Sequence, residues 1–114
     1  MLKEMIQKTI DQGEGSFVPI GDKKVKCLYR NPEGLKCAVG QIIPDELYTH
    51  DMESMRVSDI CSVIGIPCEG VYTEVQVCHD WACEDDGDFV ENFKVRLKKC
   101  VDMGKLPKEV LEWI

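Results

Sequence analysis

The chain is 114 residues long, 44% hydrophobic and 31% charged, with no apolar run near the roughly 20 residues that a membrane span needs. That length predicts one domain over residues 1–114, burying roughly two thirds of the surface its unfolded chain exposes, and the composition excludes global disorder. The net charge of −7 is segregated, because residues 31–91 hold fourteen acidic and two basic side chains between flanks of net +2 and +3. Such a field opposes direct nucleic-acid binding and favours basic partners.

In chain order, residues 2–12 predict an amphipathic helix with Leu2, Met5, Ile6, Thr9 and Ile10 on one face and Gly13 as a left-handed cap. Residues 13–22 form a polar connection with a short extended piece around Phe17–Ile20. Lys24–Arg30 alternates Val25, Cys27 and Tyr29 against Lys24, Lys26 and Arg30, the pattern of a strand with one buried face. Asn31-Pro32-Glu33-Gly34 carries the residues that a type I turn prefers. Leu35–Val39 is therefore expected to return toward Cys27 and close a hairpin over about residues 24–38. A short helix follows, with Gly40 at a close contact, and stops before Pro44.

Pro44–Tyr48 reads as one helical turn, with Pro at its first position. Residues 49–56 read as a surface loop, and Ser58 as the N-cap of a short helix ending at Ile64. Val71–Cys83 places Val71, Val75, Cys78 and Ala82 on one helical stripe. Residues 87–103 give the cleanest period, with Phe89, Val90, Phe93, Leu97, Cys100 and Val101 toward the core. Val110, Trp113 and Ile114 dock the C-terminal turn. The expected class is α+β, a mostly helical single domain with a small β-hairpin at about residues 24–38.

Seven cysteines at irregular spacing, behind an N-terminus that lacks the form of a secretory signal, read as reduced, packed thiols rather than a disulfide framework. Cys27 and Cys37, with Cys78, His79 or Cys83, offer thiolate and imidazole donors of the kind zinc accepts. No Cys-x-x-Cys pair occurs and the spacing fits no common zinc motif, so no metal and no cofactor is expected. His79-Asp80 looks like the dipeptide of metal-dependent phosphohydrolases, but the only other histidine is His50. His79 is expected instead to hydrogen-bond locally and hold its helix to the hairpin layer. Arg30 is a lone candidate anion clamp. Glu84, Asp85, Asp86, Asp88 and Glu91 crowd five acids into eight residues and form the candidate docking patch for a basic partner.

The run CLYRNPEGLKCAVGQIIPDELY resembles the core of a family of small uncharacterised proteins encoded by tailed bacteriophages and prophages. Cys27, Tyr29, Arg30, Pro32, Gly34, Lys36, Cys37, Ala38, Gly40, Pro44, Asp45, Glu46 and Tyr48 carry the match. A second block, Val75-Gln76-Val77-Cys78-His79-Asp80, resembles the later Leu-Gln…His-Asp segment of that family. The resemblance implies a phage origin and action in the host bacterial cytoplasm, and it brings no catalytic residue with it.

No nucleophile elbow, phosphate-binding glycine loop or complete catalytic set is present. The expected function is that of a non-enzymatic phage accessory protein, which modulates a host protein with a basic surface. The alternative is a small metal- or thiol-dependent enzyme using Cys27, Cys37 and His79.

Overall fold

In the computed structural model, which describes residues 1–22 and 24–114, the first helix (α1, Leu2–Gln12) buries the expected face. Met5, Ile6 and Thr9 are enclosed, while Leu2 and Ile10 lie against the core. Thr9 is tolerated there because its hydroxyl donates to Met5 O at 2.7 Å. The chain then forms strands β1 (Phe17–Gly21) and β2 (Lys24–Cys27), paired antiparallel with Phe17 opposite Cys27 and Val18 opposite Lys26.

The sheet thus corrects the expected position of the hairpin. Lys24–Cys27 is a strand, but its partner precedes it in the chain. The turn at residues 31–34 does form: Gly34 N–H donates to Asn31 O, and Asn31 Oδ1 accepts from the N–H groups of Glu33 and Leu35. Beyond it the two arms meet in a single isolated bridge between Arg30 and Lys36, made by the bonds from Asn31 N–H to Leu35 O and from Cys37 N–H to Tyr29 O. The return arm cannot lie on a half-exposed sheet, because Cys37, Ala38 and Val39 are all fully buried. Three consecutive buried residues conflict with the period of two that a one-faced strand requires. The chain coils instead into a 3-10 helix at Val39–Ile42.

Two further expectations change. Residues 49–56 are not a surface loop, since His50–Ser54 is a 3-10 helix that buries Met52. The next helix (α2, Val57–Ile64) has Arg56 rather than Ser58 at its cap, and the Asp59 carboxylate accepts from Arg56 N–H at 3.4 Å. The long helices α3 (Gly70–Glu84) and α4 (Phe89–Asp102) follow the predicted periods and pack on each other. Val75, Cys78 and Ala82 of α3 and Phe93 and Leu97 of α4 are buried. A last 3-10 helix, Lys108–Glu112, inserts Val110 into the core, with Trp113 and Ile114 against it. The fold is α+β and mostly helical, as expected. Among the described residues no helix is long and apolar enough to cross a membrane.

Gly40 and Gly34 impose different constraints. A Cβ on Gly40 would overlap the carbonyl oxygen of Tyr29, whereas one on Gly34 would meet open space but sit at a φ of +88°. Gly34→Ala should cost about 1–2 kcal/mol through backbone strain alone. Gly40→Ala should cost more, about 3 kcal/mol, because backbone must move within a packed region. Thermal unfolding of both variants checks this, and equal losses would contradict the close-contact assignment.

Candidate functional site

The segment between β2 and α2 holds most of the residues of the first sequence block, and one acid organises it. Glu53 accepts from Tyr29 N–H at 2.8 Å, from Arg30 N–H at 3.1 Å and from the Tyr48 hydroxyl. The Arg30 guanidinium lies 4.6 Å over the Tyr48 ring, donates to Ile43 O at 2.9 Å and pairs with Asp45 at 2.7 Å. Tyr29 donates its hydroxyl to Met55 O at 2.7 Å. Arg30 is thus occupied within the fold rather than presented as an anion clamp. Its Nε is the one buried side-chain nitrogen or oxygen among the described residues that lacks a hydrogen-bond partner.

The second block meets the first through α3. Gln76 Oε1 accepts from Val39 N–H at 2.8 Å, and Gln76 Nε2 donates to Asp80 Oδ1 at 2.8 Å. Asp80 Oδ1 also lies 2.9 Å from His79 Nδ1. Ser16 N–H donates to His79 Nε2 at 3.1 Å, so the neutral ring carries its proton on Nδ1 and gives it to Asp80. Ser16 in turn donates its hydroxyl to Leu28 O at 2.7 Å. His79 therefore ties α3 to Ser16 just ahead of β1, whereas the expected tie was to a hairpin over about residues 24–38. Burial disfavours its charged form, but Asp80 and Cys27 outweigh that effect and move its pKa above the usual histidine value.

Two cysteines flank this imidazole. Cys27 Sγ, a His79 ring nitrogen and Cys83 Sγ all lie within 4.8 Å of one another. Cys83 and burial push the Cys27 thiol far above its usual range, with His79 opposing. Cys37, expected beside Cys27, does not join the group. It is fully buried, its sulfur accepts from Gly40 N–H at 3.2 Å, and burial pushes its thiol upward too. Both cysteines nevertheless border one cavity of about 120 Å³, shared with Tyr29, Glu53, Gln76 and Asp80. Cys83 was one of several donors named from the sequence, and the signal that singles it out is its spacing: His79 and Cys83 are four apart on one helix and so share a face.

The acidic stretch divides into two kinds of residue. Asp85 takes three contacts from Arg96, at 3.1 to 3.2 Å, and Asp88 caps α4 by accepting from Glu91 N–H at 2.9 Å. Asn92 anchors the loop by donating to Asp86 O at 3.1 Å. The carboxylates of Glu84, Asp86 and Glu91 are exposed and make no hydrogen bond or ion pair among the described residues. Trp81, half-exposed beside them, has Arg96 4.9 Å over its ring.

Comparisons with protein-family models, with curated proteins and with solved structures give no match to this chain.

Glu53→Ala should destabilise by about 3 kcal/mol, because it leaves two backbone N–H groups and a tyrosine hydroxyl without their acceptor. Chemical denaturation measures this directly, and a loss under 1 kcal/mol would remove Glu53 from its organising place. A pH experiment reads the same layer. Burial raises the pKa of Tyr29 and raises that of Tyr48 to about 12, and the Glu69 carboxylate and burial raise that of Tyr72 to about 12. A phenol whose pKa is higher in the folded state stabilises fully below its unfolded value and loses that contribution as pH climbs through the folded one. Stability should therefore fall as pH rises from about 10 toward 12, with little tyrosinate absorbance near pH 10 while the protein is folded. Normal tyrosine titration in the native state would contradict it.

Proposed function

We propose that this is a non-enzymatic accessory protein of phage origin that docks on a basic surface of a host protein in the bacterial cytoplasm. The observation that carries the reading is the set of unengaged carboxylates Glu84, Asp86 and Glu91, held where α3 meets α4 within a segment of net −12. Their loop is pinned by Asn92 and by the Arg96–Asp85 pair, so little ordering entropy opposes docking. Half-exposed Trp81 adds a large apolar contact of the kind that anchors interfaces. The phage and host assignments rest on the resemblance carried by residues 27–48 and 75–80.

Asp85 and Asp88 contribute field but also hold the fold, so they are supporting rather than primary contacts. The enzyme alternative on Cys27, Cys37 and His79 has less behind it. Its two thiols are held protonated, and a thiol in that state is a poor nucleophile.

The test is an affinity pull-down from bacterial lysate at low and high salt, with wild type against Glu84→Lys/Asp86→Lys. Neither side chain has a structural partner among the described residues, so the double variant should keep the wild-type unfolding temperature. Association should slow about tenfold on charge reversal at low salt. The difference should shrink as salt rises past about 0.15 M, where the Debye length is about 8 Å. A captured partner indifferent to both salt and charge reversal, or no specific partner at low salt, would overturn the docking reading.

A further inference from the structure

Cys27, His79 and Cys83 come from two distant parts of the chain, and three of their donor atoms fall within 4.8 Å of one another. We propose that they form a binding site for a thiophilic divalent cation of the zinc class, with two thiolates and one imidazole as protein ligands.

Distances support the assignment. Bonds of about 2.3 Å to sulfur and about 2.0 Å to nitrogen in tetrahedral coordination place S and N about 3.5 Å apart, and two sulfurs about 3.8 Å apart. Cys83 Sγ lies 3.8 Å from His79 Nε2, near the S–N separation required, and the sulfur would have to swing to the Nε2 lone-pair side to share a cation. Cys83 Sγ is also 3.9 Å from Nδ1, and near-equal distances to both nitrogens mark a sulfur off the lone-pair axis. The contact is thus packing and not a formed S–H···N bond, which leaves the sulfur free to take another partner.

The imidazole is arranged as ligands of this kind are. Its Nδ1–H is taken by the Asp80 carboxylate, itself held by Gln76, leaving Nε2 as the one lone pair on the ring. A carboxylate behind a histidine fixes its tautomer and raises its basicity toward a metal. Nε2 currently accepts from Ser16 N–H, and a bound cation would replace that donor. Ser16 would have to shift away from the ring, because its nitrogen stands 3.1 Å from Nε2 where the cation would sit, and its bonds to Leu28 O and Leu28 N–H would shift with it.

Gly15 lets Cys83 pack directly against the backbone beside the group. A Cβ there would overlap Cys83 Sγ and the Phe89 ring. The charge balance is simple. Each bound cation displaces one proton from each thiol, giving two protons released and a neutral metal–dithiolate unit.

Co2+ serves as the optical probe, added to protein that has been reduced and stripped with a chelator. One equivalent should give thiolate-to-metal charge-transfer bands with the intense visible bands of tetrahedral coordination, release two protons, and raise the unfolding temperature. Cys83→Ser and Cys27→Ser should lose the charge-transfer bands or halve them, whereas Cys100→Ser should keep them. Asp80→Ala should weaken affinity about 10- to 100-fold while keeping the bands at saturation.

Because a variant could fail to fold, wild-type protein provides a second reading. Bound Zn2+ should slow alkylation of Cys27 and Cys83 by iodoacetamide and leave exposed Cys68 unchanged. Absence of thiolate bands, or protection falling on other cysteines, would overturn the proposal without bearing on the acidic docking surface.

Discussion

Residues 28–56 enter the core with only two short 3-10 helices among them, so their backbone polar groups cannot be satisfied by a helix or a sheet. A buried N–H or C=O without a partner costs roughly as much as a lost hydrogen bond. The fold depends on side chains that supply those partners. Glu53 takes the N–H groups of Tyr29 and Arg30, Asn31 takes those of Glu33 and Leu35, and Gln76 takes that of Val39. Gln12, at the end of α1, accepts from Lys36 N–H and donates to Lys36 O. Arg30 and Tyr29 cover the carbonyls of Ile43 and Met55.

This constraint gives a physical account of the polar residues in the stretch that organises the chain. Tyr29, Arg30, Asp45 and Tyr48 form one supporting network around Glu53, and Gly40 admits the Tyr29 carbonyl where a side chain would block it. Their density reflects the cost of burying irregular backbone. Two of the groups described above take no part in that supporting network. One is the thiol–imidazole group, whose sulfurs only pack. The other is the corner where Glu84, Asp86 and Glu91 reach solvent without partners among the described residues.

Much of the fold was legible where the signal is local. The helices α1, α3 and α4 follow from apolar residues at helical spacing, and the turn at residues 31–34 follows from Asn31 and Gly34. That His79 is held by hydrogen bonds was expected, but its partner Ser16 was not. The partner of β2 was not, because alternation in Lys24–Cys27 marks a buried face without naming the strand beside it. The cap of α2 was misplaced by one turn preference: Ser58 is a good N-cap residue, but burial of Val57 started the helix earlier.

The sequence by itself determined which segments coil, which faces are apolar, where the chain turns and how charge is distributed along it, because each is set by neighbours within a few residues. Only the tertiary structure decided which polar side chain reaches which distant backbone group. Nothing in the spacing of Glu53 or Gln76 announces Tyr29, Arg30 or Val39 as partners. The same holds for the site: periodicity places His79 and Cys83 on one face of α3, but Cys27 joins them only because β2 packs across that face. Helical period encodes direction around one axis. The meeting of two axes is fixed by packing, where shape and buried area choose among many pairings that the pattern alone leaves equal.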